Sequence, residues 1–398
     1  MTIPARTFWL ALALSLGAAV SLGITRFAYG LLLPPMRSDL QWSYTLAGAM
    51  NTLNALGYLV GALVTPKLMS RAGAARLMLA GSALASVFMA ASGFFVEAVP
   101  LLAQRFLAGV ASAWIFIAGG LLAARLAAQH PHRGGFLLGM YYGGTGFGIV
   151  LSALLVPATL SAASGVPHGW TWAWWALAAA CVAATLALAW PARALASLAP
   201  PVAAAASAGP PPRVVPRFAF GLAGYALFGV GYIGYMTFVI ALLREQGVAP
   251  GSITLFYALL GAAVVASSRI WAGLLDRYKG GQALAILNAL LGCATVLPAL
   301  TQSWPLVLLS GVVFGGVFLS VVASTTALVR HNLPAAQWAS GISAFTIVFA
   351  AGQIVGPTVV GWIADGPGGL ARGLVFSACA LWVGAALAWR QRPLAASP

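Results

Sequence analysis

Acidic residues are the scarcest feature of this 398-residue sequence, which contains only five aspartates and glutamates. Charged residues of both signs make up 6% of the chain, whereas soluble domains carry about 25%. Hydrophobic residues reach 61%. This composition excludes a water-soluble globular protein. None of the five acids lies deep in an apolar run, so no buried carboxylate is expected within a membrane.

Sequence motifs of catalysis and cofactor binding are also missing. The chain has no Walker loop, no G-x-S-x-G and no H-E-x-x-H pattern, and its four histidines lie near the ends of apolar runs. The three cysteines all fall within apolar runs, and such an odd set argues against disulfides or a zinc site. We therefore expect no enzymatic activity, no metal and no cofactor. Any transport by this chain must be driven by a gradient rather than by its own ATP hydrolysis.

Apolar runs of about 20 residues recur along the whole chain, and each is long enough to cross a bilayer core as a helix. An outer-membrane barrel would need polar–apolar alternation, which runs such as WAWWALAAACVAATLALAW lack. The predicted fold is an all-α polytopic membrane protein with twelve transmembrane helices. The predicted spans are 8–33, 43–65, 76–96, 99–123, 134–158, 169–190, 217–242, 252–274, 281–300, 305–329, 340–364 and 371–389.

The net charge of +15 comes from basic residues that lie mostly at the ends of the apolar runs. With the N-terminus on the cytoplasmic side, fourteen of the twenty basic residues fall in cytoplasmic segments and three in outer loops. The positive-inside rule therefore predicts that both termini are cytoplasmic. Because the basic residues do not gather on one polar face, the charge does not indicate a nucleic-acid partner. The expected partner is the lipid bilayer.

A segment rich in proline and alanine divides the chain into two parts that look related. Residues 191–216 contain seven prolines among 26 residues, which predicts a semi-extended cytoplasmic linker between six-span halves at 1–190 and 217–398. Matching residues recur at an offset of about 206, which becomes 208 for the glycine pairs of spans 5 and 11. The pairs are Gly23 with Gly229, Gly109 with Gly315, Arg71 with Arg277, and Gly144-x-x-x-Gly148 with Gly352-x-x-x-Gly356. This order favours two parallel repeats, which is one known transporter plan.

Two loops carry a resemblance to the major facilitator superfamily. The stretch PKLMSRAGAAR after span 2 resembles the G-x-x-x-D-R-x-G-R-R loop of that family through Arg71 and Gly73, with serine at the expected aspartate position. Its repeat after span 8, AGLLDRYKGG, keeps the Asp276–Arg277 pair. In the family this loop ties the two halves together on the cytoplasmic side. The resemblance, which covers essentially the whole chain, therefore implies a gating role for these four residues.

Shorter stretches of sequence indicate which group within the superfamily the chain resembles. LLAQRFLAGVASA in span 4 is similar to the R-x-x-x-G signature of the family through Arg105 and Gly109. The glycine-rich YYGGTGFGIVLS lacks the Gly-Pro step of the proton antiporters, which disfavours drug–proton antiport. Together with RFAYG and GQIVGP, it resembles the bacterial YbfB/YjiJ-like group. The resemblance implies two six-helix halves that rock to give alternating access across the inner membrane.

Arg26 is the central candidate for cargo binding. It lies within the first predicted span, where a charge costs about 2.5–3.5 kcal/mol and usually faces a bundle interior or a wet cavity. Arg105 lies within span 4, and Glu97, eight residues earlier on the same helix, is about 12 Å away. Two intramembrane cations without nearby acids favour an anionic cargo, held by the planar donors of guanidinium. Snorkelling to the outer interface or a bond to a neighbouring carbonyl is the alternative for each arginine.

Polar residues on other predicted spans complete the candidate lining. Asn51, Asn54 and Tyr58 share one helix face, and Tyr232 occupies the position of Arg26 in the second repeat. The predicted substrate-binding residues are Arg26, Tyr29, Asn51, Asn54, Tyr58, Arg105, Tyr142, Tyr232, Tyr235 and Gln353. For the tyrosines, packing or an interfacial belt is an equally supported interpretation. Gly356–Pro357 in span 11 is either a hinge for the rocking motion or a static kink.

These patterns predict a secondary active transporter that acts as a monomer and moves a small organic anion across the bacterial inner membrane. A carboxylate is the favoured cargo, and proton symport is the expected coupling. Since no carboxylate is buried, the proton would travel on the cargo or on an outer acid such as Glu97. Proton-coupled efflux of drugs or hydrophobic metabolites is the first alternative, although it would call for an embedded acid. A non-transporting sensor or membrane enzyme is the second.

Overall fold

The computed structural model describes residues 4–196, 214–334 and 337–394, and nearly all of them are helical. In this described part, twelve helices are long and apolar enough to cross a membrane, which confirms the predicted number. They are α1 (Ala5–Leu40), α2 (Tyr44–Ala72), α3 (Ala74–Ser92), α4 (Ala98–Ala128), α5 (Gly134–Ala162), α6 (Trp170–Leu195), α7 (Ala219–Glu245), α8 (Pro250–Ile270), α9 (Gln282–Leu300), α10 (Trp304–Asn332), α11 (Trp338–Ala364) and α12 (Gly369–Trp389).

Several helices extend beyond the predicted spans. The predicted linker begins at Pro191, but α6 continues through that proline to Leu195, because proline removes only one backbone hydrogen bond in the last turns. A short helix at Val214–Arg217 precedes α7, and residues 197–213 of the predicted linker lie outside the described residues. Helix α2 ends where Gly73 adopts a φ of +81°, a conformation that favours glycine.

The helix ends form two faces of opposite charge. At one face the backbone N–H of Gly281 donates to the carbonyl of Gln391, and the Gln391 amide donates to the carbonyl of Arg217, so α7, α9 and α12 meet there. We call it the basic face, since it also carries Arg71 and Arg277 on its loops. The opposite face carries four of the five acids, Asp39, Glu97, Glu245 and Asp365, and is the acidic face.

Glycine contacts repeat between the two parts of the chain. A Cβ atom added to Gly109 would lie 2.1 Å from the Asn54 carbonyl oxygen, and one added to Gly315 would lie 2.2 Å from the Leu260 carbonyl oxygen. Both pairs are related by the same offset of 206 residues. Thus α4 crosses α2 as α10 crosses α8. The equivalent contacts support the repeat predicted from sequence, because only glycine lets the backbones approach so closely.

A wide π-helical stretch, Ala19–Phe27, interrupts α1 at the centre of the bundle. Its carbonyl groups accept hydrogen bonds from other helices. The Ser112 hydroxyl of α4 donates to the carbonyl of Ser21 at 2.5 Å, and the Tyr257 hydroxyl of α8 donates to that of Phe27 at 2.7 Å. Such irregular backbone is tolerated inside a membrane where neighbouring helices satisfy it, and π-helical turns are frequent at functional sites.

The two parts of the chain meet mainly through three helix pairs, α1–α7, α2–α11 and α5–α8. Close contacts of α2 with α11 lie toward the acidic face, where a Cβ on Gly48 would be 2.2 Å from the Pro357 carbonyl oxygen. Toward the basic face, Leu63 of α2 and Ile347 of α11 are 67% and 51% exposed. The closest backbone contact of α2 with α11 thus lies toward the acidic face, whereas α5 and α8 still meet near the basic face, where the Arg269 guanidinium carbon is 5.0 Å from the Phe136 ring centre.

Candidate functional site

Arg26 lies at the C-terminal end of the π-helical stretch and is only 3% exposed. Its Nε atom donates to Asn54 Oδ1 at 3.1 Å, and its Nη1 atom donates to Gln353 Oε1 at 2.6 Å. The guanidinium carbon lies 5.3 Å from the centre of the Tyr58 ring. Arg26 therefore does not snorkel to an interface. It sits between α2 and α11 at the centre of the protein.

Gln353 joins the two repeats at one atom. Its Oε1 accepts hydrogen bonds from Arg26 Nη1 and from the Tyr232 hydroxyl, both at 2.6 Å. Tyr232 is the repeat equivalent of Arg26, so the two matching positions converge on the same acceptor. The N-terminal repeat thus contributes charge to this point, and the C-terminal repeat contributes a phenol.

Arg105 belongs to the same cluster. Its Nη2 atom donates to Asn51 Oδ1 at 3.0 Å, and Nη1 donates to the carbonyl of Thr25. The guanidinium carbon lies 5.2 Å from the Tyr29 ring centre and 5.8 Å from that of Trp174. The side chain is 1% exposed, so it is a structural neighbour of Arg26 and has no direct access to solvent.

Two asparagines of α2 link the arginines. Asn54 accepts from Arg26 and donates to the backbone carbonyl of Arg105 at 3.1 Å. Asn51 accepts from Arg105 and donates to Thr237 Oγ1 on α7 at 2.8 Å. The i, i+3 spacing on α2 therefore places both amides between the two cations, as the shared helix face predicts.

The cluster holds two buried cations without an acid. All five acids of the chain are among the described residues, and none forms an ion pair with Arg26 or Arg105. Each guanidinium keeps one nitrogen without a hydrogen-bond partner among the described residues, Nη2 of Arg26 and Nε of Arg105. An unpaired buried charge is costly, so the arrangement favours an anion at this site.

Aromatic side chains lie on the basic-face side of the cluster. Tyr142 of α5 is 40% exposed, and its ring lies 5.5 Å from that of Phe116 on α4. Tyr58 follows Asn54 by about one turn of α2, on the side of the basic face. Tyr142 and Tyr58 therefore both lie toward the basic face from the level of Asn54 on α2.

Two predicted lining tyrosines use their hydroxyl groups elsewhere. Tyr29 donates to the carbonyl of Ala47 at 2.8 Å, and Tyr235 is 2.7 Å from Ser310 Oγ. Both side chains are fully buried. The structure thus places them against helix partners, and only Tyr29 also touches the cluster, through its ring below Arg105.

The predicted gating residues lie at two levels of the molecule. Gly356 and Pro357 lie on α11 near the central site, and a Cβ on Gly356 would be 2.7 Å from the Val230 carbonyl oxygen of α7. The other four are exposed at the basic face. Arg71 lies in the last turn of α2 and Gly73 directly follows that helix, while Asp276 and Arg277 end a short helix, Ala272–Arg277, after α8. The Arg277 guanidinium carbon is 5.6 Å from the ring of its neighbour Tyr278. The gating roles stay predictions.

Sequence reasoning missed Thr237, Thr25 and Trp174. Thr237 accepts a hydrogen bond from Asn51 of the other repeat. The Thr25 carbonyl is free to accept from Arg105 because α1 is π-helical there. The Trp174 ring covers the Arg105 guanidinium. No sequence signal marks the π-helical stretch. The hydroxyl of Thr237, inside an otherwise apolar run, is the one signal that was available.

The acidic face is closed by side chains that connect the two repeats. The Asp365 carboxylate at the end of α11 accepts from the backbone N–H groups of Tyr44 and Thr45 at 2.6 and 2.9 Å, and from Thr45 Oγ1 at 2.6 Å. It therefore caps the N-terminus of α2 from the other repeat. The Tyr44 hydroxyl donates to Glu245 of α7, and the Arg37 guanidinium lies 3.7 Å from the Tyr44 ring centre.

This carboxylate should hold the acidic face closed at neutral pH. Partial burial would raise the pKa of Asp365, but hydrogen bonds from Thr45 and Tyr44 and the charge of Arg37 outweigh it and lower the pKa below 3.8. A lowered pKa in the closed state means that the stabilisation is present above about pH 4. It is lost as the pH falls through the lowered pKa.

Substitution Asp365→Ala is therefore expected to favour the separated state of the acidic face by roughly 30-fold at pH 7, or about 2 kcal/mol after allowance for solvent exposure. Spin labels at Gln41 and Gly251, on the two repeats at this face, report the separation by double electron–electron resonance. The parent should open in acid, and the variant should lose that component of the response. Asp39→Ala is the control, since this acid of the same face bonds to His168 and Trp170 of its own repeat. Equal distance distributions in parent and Asp365→Ala would contradict the prediction.

Twelve spanning helices in two repeats around a central polar site define a transporter of the major facilitator superfamily. A family model described as "Uncharacterised MFS-type transporter YbfB" matches residues 18–389. The chain belongs to this family, which confirms the resemblance seen in the sequence. No individually curated protein matches the chain significantly.

Solved structures of other transporters share the fold. A bacterial homologue of the human lysosomal transporter Spinster, in an inward-facing and unoccupied conformation, aligns with a TM-score of 0.71 at 16% identity over 98% of this chain and 97% of that one. The nucleoside transporter NupG aligns with a TM-score of 0.74 at 12% identity over 98% of this chain and 100% of that one. At these identities the likeness establishes the fold and leaves the cargo undetermined.

Proposed function

We propose that this major facilitator transporter moves a small organic anion, with a carboxylate as the favoured cargo, by alternating access. One observation carries the proposal: Arg26 and Arg105 are buried in one cluster, and none of the five acids pairs with them. The free Nη2 of Arg26 supplies a charged donor to the cargo. The neighbouring amides hold the guanidinium in place and add no charge of their own.

The rest of the proposal concerns orientation and movement. The positive-inside rule makes the basic face cytoplasmic, in the bacterial inner membrane, with both termini on that side. The halves 1–190 and 217–398 rock about the central site, and the bonds of Asp365 and Glu245 to α2 break when the acidic face opens. Arg71, Gly73, Asp276 and Arg277 come together when the basic face closes, and Gly356–Pro357 provides the hinge. The protein acts as a monomer.

Proton symport is the proposed coupling. The membrane-embedded part holds no acid, so a coupled proton would travel on the cargo itself or on an outer acid such as Glu97. The absence of an embedded acid also weighs against the efflux alternative, in which a buried carboxylate normally carries the proton and attracts cations. A neutral nucleoside, the cargo of the structural relative NupG, would not require the unpaired charge of Arg26.

Ligand-dependent unfolding of the purified protein tests the proposal. Aliphatic and aromatic carboxylates, tetraphenylphosphonium and uridine are each added to the full chain in detergent, and the unfolding temperature is followed by tryptophan fluorescence. A ligand at 100 times its dissociation constant stabilises by about 2.7 kcal/mol, which is readily seen. We expect stabilisation by at least one carboxylate, weakening as the pH falls below the pKa of that ligand. Stabilisation by the cation or uridine alone would overturn the anion proposal.

A further inference from the structure

Near-parallel aromatic rings form the side of the site that the C-terminal repeat provides. The Tyr232 ring lies 4.8 Å from Phe228 at an interplanar angle of 20°, and 6.0 Å from Phe318 at 7°. Phe349 lies 5.6 Å from Tyr232 at 20° and 5.3 Å from Phe228 at 9°. These four residues are called the aromatic wall. Because the Tyr232 hydroxyl and Arg26 share Gln353 Oε1, the wall adjoins the guanidinium.

Aromatic side chains of the N-terminal repeat stand on the other side of Arg26. The Tyr58 ring centre is 5.3 Å from the guanidinium carbon, and Tyr142 of α5, toward the basic face, is 40% exposed. Phe349 is the one member of the wall that is partly exposed, while the other three are buried. Phe349 precedes Gln353 by one turn of α11, so its accessible ring surface lies beside the Gln353 that binds Arg26, and Tyr142 is an accessible ring of α5.

This combination of unpartnered guanidinium donors and ring surfaces selects for a planar anion. An aliphatic chain would gain only the burial of apolar area at these surfaces. A flat ring can add offset stacking, for which near-parallel neighbours are already aligned. Ordinary packing would be served as well by leucine or valine, which could not select a ring. We propose that the cargo is an aromatic carboxylate, with its carboxylate on Arg26 and its ring against Phe349 and Tyr142; this rests on the proposed anion transport.

Binding of matched pairs of carboxylates tests the inference. Benzoate is compared with cyclohexanecarboxylate, and phenylacetate with cyclohexylacetate, by calorimetry on the full chain in nanodiscs. Members of a pair share the charge and differ in the ring. The saturated member is the more hydrophobic, so simple burial would favour it. We expect the aromatic member of at least one pair to bind about tenfold more tightly, the factor that two added ring contacts supply.

Variants assign the preference to Phe349 of the wall and to Tyr142. Phe349→Leu and Tyr142→Leu should each reduce the aromatic preference to about threefold, the loss of one ring contact. Phe147→Leu, which changes an exposed phenylalanine of α5 outside the site, should leave it unchanged. Two leucine variants are used so that one folding failure does not decide the result. Arg26→Gln should weaken both members of a pair.

The outcomes separate this inference from the anion proposal. Equal affinity within each pair, still dependent on Arg26, would overturn the aromatic preference and leave anion transport standing. Binding of none of the four carboxylates would overturn both. An aromatic preference that survives Phe349→Leu and Tyr142→Leu unchanged would overturn the placement of the ring.

Discussion

Replacement of Arg26 by glutamine is expected to weaken carboxylate binding by about 100-fold or more, since a hydrogen bond to a charged group contributes about 1.5–3 kcal/mol. The loss should exceed that of one ordinary bond because the guanidinium of Arg26 is shielded from water, where its charge interacts more strongly with an anion. Glutamine keeps a polar side chain beside Asn54 and Gln353, so the change removes mainly charge. Titration calorimetry on parent and variant measures the ratio directly.

Stability distinguishes this loss from a damaged fold. Arg26 is a buried cation without an acid, and removing such a charge is often neutral or stabilising. We therefore expect Arg26→Gln to unfold at or above the temperature of the parent. Arg269→Gln is the matched control, because this arginine also lies in a spanning helix but stacks on Phe136 at 5.0 Å, near the basic face. An affinity within about threefold of the parent in Arg26→Gln would contradict the assigned role.

Alanine at Gly57 or Gly109 is expected to lower the free energy of unfolding by about 3 kcal/mol, the upper end of the cost of overpacking. A Cβ on Gly57 would lie 1.9 Å from the Phe106 carbonyl oxygen, and one on Gly109 would lie 2.1 Å from that of Asn54. Backbone atoms cannot rotate away as a flexible side chain can. The helices α2 and α4 must then move apart, and this movement would also separate Asn54 from Arg105. Thermal unfolding followed by tryptophan fluorescence measures the change.

Gly135→Ala provides the control for these glycine variants. This glycine is also helical, but no atom lies within 4 Å of an added Cβ. Alanine is the better helix former by about 1 kcal/mol, so this variant should be neutral or slightly stabilised. If Gly57→Ala and Gly135→Ala unfolded at the same temperature, the close approach of α2 and α4 would not limit stability.

The sequence by itself determined the class and the overall plan of this protein. The twelve spans could be read from hydrophobic runs, because a helix in lipid satisfies its own backbone hydrogen bonds and needs only local length and apolarity. The glycine pattern predicted the repeat, since close backbone contacts leave few alternatives to glycine. Arg26 could be singled out because a charge in a membrane-spanning helix is costly whatever the rotation of that helix about its axis.

Only the tertiary structure decided which of these side chains meet. The bond between Arg26 and Gln353 joins residues 327 positions apart, and the bond between Asp365 and Tyr44 spans 321. Such contacts depend on the rotation of each helix, which packing against neighbours sets and hydropathy does not record. The π-helical stretch that frees the Thr25 carbonyl also depends on packing against neighbouring helices. Tyr29 and Tyr235, equally polar in the sequence, turn instead to partners on neighbouring helices, because the local sequence does not fix the direction in which a tyrosine points.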